Sequence, residues 1–520
     1  MGAEGTDEHV QAAPDELLQQ SGEIQGNILA PFNKPCQLFM FVNFQQDQAR
    51  ARDWLRRLLK DERFATTKKV AAYNQELRRE KPELGPRPVK AKPELATTWI
   101  GVGLTSWGLV TLHPELAADL VAYDAFWGGP LAESTDENGN RTAPVAMIGD
   151  PERSDPEHWV IGGPAQRPVD ALVTIAGDDR AALERQAEKE QKVAEEQFGL
   201  CVLRVEQGDG TTPAWQLGER LERGGLGVEH FGFKDGVSQP SIRDFTSPTT
   251  PDKKRWESQL RPGSPVIATG EFVLGYPGER GSYLRGRRPD PPEWMRDGSF
   301  QVFLRLNQDV AGFWEEMERL GRQLSMDAEA VAAKVIGRQK DGKPLAPNGG
   351  GNKDNDFDYD DDPEGEHTPR FAHIRRANPR KDEVYNDRSH RLLRRGIPFG
   401  PLAATLAEAQ KTRDVERGLL LNAFVADLDD QFVALQRQWA SNSGSLPVIP
   451  GRGGPESAVS DGPDPLIGAN LDPCRLRRQG QDPEDLDLRR FVHTSGAVFA
   501  FAPSTRTLDR LTDGQLMRKR

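Results

Sequence analysis

Cysteine is scarce in this chain: Cys36, Cys201 and Cys474 are the only three in 520 residues. They lie far apart and form no CxxC pair. That argues against a disulfide framework or a thiolate-bound metal, and it points to a reduced compartment. Long apolar runs are missing too, so no window is able to span a bilayer. The first thirty residues carry acidic and polar groups where a secretory leader needs an apolar core, and no twin-arginine leader is present. A cytoplasmic location is therefore expected. Met1-Gly2 with Thr6 has the form of a myristoylation signal, but Glu4 and Asp7 flank it and no basic patch supports it. Excess positive charge is also absent. A formal net charge of -12 and a pI near 5.4 argue against nucleic acid or an anionic membrane as the main partner.

What remains is a polar chain, 36% hydrophobic with a mean hydropathy of -0.66, long enough for two or three domains or one large double domain. Residues 1–22 are polar and acidic and read as a mobile tail. CQLFMFVNF (Cys36 to Phe44) reads as a buried strand, and Trp54, Leu55, Leu58 and Leu59 fall at helical spacing after it. TTWIGVGLT gives a second strand leading into a short helix near Trp107, and ALVTIAG (Ala171 to Gly177) a third. A charged helix follows from Asp179 to about Gln197, and CVLRVEQ closes a fourth strand. The order β-α-β-β-α-β is the ferredoxin-like unit. It recurs: FQVFLRLNQ is a strand, VAGFWEEMERLGRQL an amphipathic helix, LLLNAFVA a strand, then a helix with Phe432, Leu435 and Trp439, and GAVFAFAP the last strand. The expectation is an α+β protein of two related halves.

Met326 to Pro369 reads as an unusually long, acidic loop. Within it, GRQKDGKP imitates a phosphate-binding loop, but Pro344 stands where Ser or Thr should bind magnesium. Asp354, Asp356 and Asp358 imitate a calcium loop, but Tyr359 takes the glycine position and Gly365 that of the final glutamate. A solvated or basic-partnered acidic loop is the better reading.

Two stretches carry chemistry. FAHIRRANPR to HRLLRRGIPFG (Phe371 to Gly400) sets His373 among arginines. HFGFKDGVSQP (His230 to Pro240) sets Asp235 between Gly232 and Gly236. Alone, the first could be an ion-pair network and the second a turn aspartate capping an amide. Together they supply an imidazole, a carboxylate and a guanidinium, the parts a haem peroxidase needs around its iron.

GFKDG matches the GxxDG signature of the dye-decolourising peroxidases, and AHIRRANPR and LLRRGIPFG resemble that family's haem-ligand and distal-arginine segments. IQGNIL (Ile24 to Leu29), GEFVLGYP (Gly270 to Pro277), RGLLLNAF (Arg417 to Phe424) and FAFAPS (Phe499 to Ser504) are similar too, in the family's order, over roughly Glu23 to Leu511. The resemblance implies two ferredoxin-like domains with antiparallel sheets, of the dimeric α+β barrel type, divided as 23–245 and 246–512. Haem b, one per chain, would be held mainly by the C-terminal half. It implies His373 as the axial ligand, with His230 as its rival, and Asp235 as the distal proton shuttle. Arg394 is the distal cation by position, with Arg395 as fallback. A carboxylate should back the ligand imidazole, and Asp464 and Glu456 are the alternatives. Arg376 and Arg380 are candidates for the haem propionates or for salt bridges, and Leu419 and Leu421 for the distal face or plain core. Trp439, flanked by polar Gln438 and Ser441, is the candidate for a surface electron relay, or else a packing residue. TPRFA departs from the family's CPxG before the ligand segment, with Phe371 in place of the small residue. The expected partners are hydrogen peroxide and an organic reducing donor such as a dye or phenolic. The alternatives are a haem-handling protein with little turnover and a metal-free scaffold.

Overall fold

The computed structural model describes residues 18–80, 96–133, 144–207, 211–245, 263–279, 290–349, 355–380, 388–443 and 461–514. Its strands are the apolar runs, and the long ones are buried along nearly their whole length. That is why they read as continuous runs and not as alternating ones. The first half contributes β1 (Cys36–Asn43), β2 (Trp99–Leu104), β3 (Ala171–Gly177), β4 (Cys201–Val202) and β5 (Gln216–Glu219). The second contributes β6 (Ser299–Gln308), β7 (Leu393–Arg394), β8 (Ile397–Phe399), β9 (Gly418–Val425) and β10 (Val492–Ala502).

These ten strands form one sheet. Its order runs β4-β1-β3-β2 in one half and β10-β6-β9-β7 in the other, the ferredoxin-like order twice, with antiparallel neighbours throughout. The long crossover helices start at aspartates. Asp47, Asp179 and Asp309 cap α1 (Gln48–Leu59), α2 (Arg180–Lys192) and α3 (Val310–Leu324) by accepting from amides three residues on. The halves meet where β2 pairs with β10 through a single residue pair, Leu104 with Phe501. Gln25 reinforces that seam. Its side chain exchanges hydrogen bonds with the Val102 backbone and donates to the Pro503 carbonyl at 2.8 Å.

At the far ends of the sheet, β5 lies against β8. A Cβ added to Gly218 would stand 2.3 Å from the Ile397 side chain, so only glycine permits the approach. The enclosed core draws Phe39, Phe41, Leu172, Phe303, Ile397, Leu420 and Val498 from both halves. Phe303 packs on Phe39 and Phe41, with ring centroids 4.9 and 5.3 Å apart.

Several expectations are corrected. The fourth strand shrinks to Cys201–Val202. The long loop contains a helix, Ala328–Ile336, whose apolar Val331, Ala332, Val335 and Ile336 are buried. The helix after β9 winds as π-helix over Leu428–Val433 and Leu435–Ala440. No helix among the described residues is long and apolar enough to cross a membrane.

Candidate active site

His373 opens a five-residue helix, α4 (His373–Ala377). Its Nδ1 lies 2.8 Å from Asp464 Oδ2, 91 residues away in sequence. The other carboxylate oxygen of Asp464 accepts from the Leu466 and Ile467 amides at 2.8 and 3.2 Å. The Asp464 amide in turn donates to the Ala440 carbonyl at 2.8 Å, the end of the π-helical segment. Asp464 is fully buried while a quarter (26%) of the His373 side chain is accessible. Burial works against a charged imidazole and a charged carboxylate alike. Their mutual attraction and hydrogen bond win, so His373 is raised and Asp464 lowered from their ordinary ranges. Among the described residues His373 Nε2 has no hydrogen-bond partner.

The second stretch folds as a tight loop because its glycines allow it. Gly232 and Gly236 adopt φ of +95° and +67°, which favour glycine. Phe231 stacks on Phe313 of α3 at 4.2 Å, and the His230 ring donates from Nε2 to the Phe399 carbonyl at 2.7 Å. That bond fastens the loop to β8, and burial pushes His230 down to about 4, with Nδ1 buried and unpartnered among the described residues. Asp235 is exposed, with Oδ1 accepting from its neighbour Gly236 at 2.6 Å. Among the described residues Oδ2 has no partner.

Arg394 sits on β7, which pairs with β9 as Arg394 with Ala423. Its guanidinium donates to the Ser238 carbonyl at 2.6 Å, three residues past Asp235, and Gln239 bonds its backbone. Arg394 also lies close enough for its charge to oppose protonation of His373. Imidazole, carboxylate loop and arginine thus come together from segments scattered over the chain. Arg395 points elsewhere. It donates to the carbonyls of Asn27, Ile28 and Leu29, fastening the N-terminal IQGNIL segment.

The remaining candidates divide. Arg376 is buried and donates to the Asn442 and Gly462 carbonyls. Arg380 bonds Asn355 and the Phe357 carbonyl and lies over the Phe357 ring at 3.8 Å. Both guanidinium groups fasten backbone, and Arg380 is one basic partner of the acidic loop. Leu419 and Leu421 are half-buried and flank Leu420, which points into the enclosed core. They therefore face the other side of the sheet. Glu456 lies outside the described residues. Of its two readings, Trp439 takes the packing position and not the surface one. It is 2% exposed and stacked on His390 at 5.1 Å, because the polar neighbours in sequence occupy other faces of the helix.

Glu229 was not singled out from the sequence. Its carboxylate accepts from the Phe231 and Phe233 amides and from the Gln308 side chain. Burial pushes it up to about 6 against those hydrogen bonds, with the charge of Asp235 adding to the rise. The only signal was its place at the head of the glycine loop; its partner Gln308 is 79 residues away.

Comparison with known proteins fixes the family. Residues 284–447 match the family model for the C-terminal part of Dyp-type peroxidases. A multifunctional dye peroxidase of Amycolatopsis sp. is 30% identical over 88% of this chain and 87% of its own length. The chain belongs to the dye-decolourising peroxidase family. It is an enzyme of the peroxidase type, and haem is the cofactor that the family implies. A dye-decolourising peroxidase of Mycena epipterygia is 31% identical over 54% of this chain and 56% of its own length. Among solved structures, an Anabaena sp. peroxidase of this type superposes with a TM-score of 0.69 at 23% identity, covering 95% of this chain and 94% of its own. A dye-decolourising peroxidase in complex with 2,6-dimethoxyphenol gives 0.68 at 24% identity, covering 95% and 99%. These likenesses bear on the fold. The residues present fit a haem: one imidazole with an unpartnered Nε2, a carboxylate behind it, and a guanidinium and second carboxylate nearby.

Proposed function

We propose that this chain reduces hydrogen peroxide and oxidises organic donors, dyes and phenolics among them, by one-electron steps. His373 Nε2 would hold the iron of haem b, one per chain, with Asp464 fixing the ring and raising its basicity through Nδ1. The bound haem supplies the redox centre at which peroxide is cleaved and donors are oxidised. The rest of the chemistry falls to side chains. Asp235 takes a proton from peroxide on Oδ2 and returns it to the departing oxygen, while Oδ1 stays anchored to the Gly236 amide. Arg394, oriented by the Ser238 carbonyl, places fixed positive charge where negative charge develops. With the domains divided as 23–245 and 246–512, Asp235 comes from the first and His373, Arg394 and Asp464 from the second. A reducing, cytoplasmic setting suits the three free cysteines.

The observation that carries this reading is the polarised imidazole, with Nδ1 committed to a buried carboxylate and Nε2 unpartnered in the same neighbourhood as Arg394. The test is reconstitution with haem followed by a peroxide titration with a phenol as donor. A stoichiometric Soret band and sustained phenol oxidation are expected. Haem uptake with negligible turnover would instead indicate a haem-handling protein.

A further inference from the structure

We infer that Glu229 is the positioning residue for Asp235, an inference that rests on the proposed role of Asp235 in peroxide cleavage. The loop from Glu229 to Gly236 has to present one exposed carboxylate at a fixed place while its own backbone turns through two left-handed glycines. A single side chain fixes two of its amides. Glu229 Oε1 accepts from the Phe233 amide at 2.8 Å, and Oε2 accepts from the Phe231 amide at 2.8 Å. The backbone of Glu229 closes the same turn, donating to the Phe233 carbonyl at 3.0 Å and accepting from the Gly232 amide at 2.9 Å.

The loop is then fastened to the other half of the protein. Gln308, the last residue of β6, donates to Glu229 Oε2 at 2.7 Å. Asp235 follows Phe233 by two residues, and its own amide donates to the Gly227 carbonyl at 3.1 Å. Its Cα is thus held between Gly227 and the Phe233–Lys234 backbone, where the Glu229 carboxylate takes the Phe233 amide and the Lys340 carbonyl takes the Lys234 amide at 2.9 Å. A carboxylate suits this task better than an amide, because both of its oxygens accept and three donors converge on it. Glutamine would turn an NH2 group toward an amide N–H and lose at least one of the bonds.

The experiment is a double-mutant cycle on the haem-loaded full chain, with Glu229→Gln, Asp235→Asn and the pair. Peroxide activation is followed by stopped flow, and amide hydrogen exchange of residues 231–233 is measured in parallel. Glu229→Gln is expected to slow peroxide activation by about tenfold or more and to speed exchange of the Phe231 and Phe233 amides by about tenfold, with haem content retained. In the Asp235→Asn background the same substitution is expected to change the peroxide step by less than about twofold, since the group it positions is gone. Equal losses in both backgrounds would overturn the inference, as would an unchanged rate in Glu229→Gln alone. An unimpaired Asp235→Asn variant would instead overturn the role of Asp235 itself, and the inference with it. If Glu229→Gln does not fold, Gln308→Leu removes one donor from Oε2 and leaves the two amides paired. It should slow peroxide activation less, again only when Asp235 is present, and equal losses in both backgrounds would again overturn the inference.

Discussion

An imidazole whose Nδ1 faces a buried carboxylate is a different donor from one facing water. Asp464 accepts three hydrogen bonds and has no exposed surface, so its charge is committed to His373. Asp464→Asn should raise the reduction potential of the bound haem iron and weaken haem retention by about 10- to 100-fold, checked by potentiometric titration and haem transfer. His373→Ala should abolish stable haem incorporation or leave an altered Soret band, read directly by absorption. The two arginines of LLRRG separate cleanly. Arg394→Leu should slow the first peroxide-driven spectral change by about 10²-fold or more at nearly unchanged stability. Arg395→Leu would strip donors from three carbonyls of residues 27–29 and act first on the melting temperature. At this scale the sequence singled out His373, Asp235 and Arg394 by their motifs, and the structure brings their segments into one neighbourhood. The sequence left Asp464 and Glu456 tied, because the bond that selects Asp464 spans 91 residues, and Glu456 lies outside the described residues.

Among elements, the long buried strands were legible, whereas of the short edge strands β4 was read too long and β5, β7 and β8 were not read. β4, β7 and β8 have two or three residues each, too few to show any periodicity, and they exist because a longer neighbour offers them a ladder. Both halves finish in the same way, with two short strands sharing one outer edge: β4 and β5 on β1, and β7 and β8 on β9. α4 is equally illegible as a helix, since five residues cannot sustain one without tertiary support. β6 is the element on which both halves depend. Its Phe303 is fully buried against Phe39 and Phe41 from β1. Phe303→Ala should cost about 3–5 kcal/mol and lower the denaturation midpoint, while Phe303→Leu should cost far less.

For the whole molecule, the acid limb of stability is the informative measurement. Burial pushes His230 down to about 4 and His493 down to about 3, from an ordinary 6.5. The folded protein therefore carries fewer protons than the unfolded chain in that range. The stability these rings contribute is fully present above pH 6.5 and is lost as the pH falls towards 4 and then 3. Asp170 and Glu229, both pushed up to about 6 by burial, act in the opposite sense: their contribution is present below their unfolded values and lost as the pH rises through about 6. Replacing His230 and His493 with Gln should flatten the fall in melting temperature between pH 6.5 and 4. An unaltered slope would mean that neither ring is held neutral.

The single pair joining Leu104 to Phe501 has a consequence for how the chain is made. β2 emerges early from the ribosome, but the strand that pairs with its Leu104 end is synthesised roughly 400 residues later, about 20–80 s at ordinary elongation rates. For that interval the Leu104 end of β2 stays unpaired and Gln25 makes two of its three side-chain hydrogen bonds, while Ile100 already has Arg63 and Ala65 as backbone partners from the first half. The yield of active enzyme should then depend on chaperone capacity and on translation speed far more than the stability of the finished protein would suggest. A fragment ending near residue 245 should leave only the Leu104 end of β2 open to hydrogen exchange, and supplying the missing C-terminal half in trans should protect it.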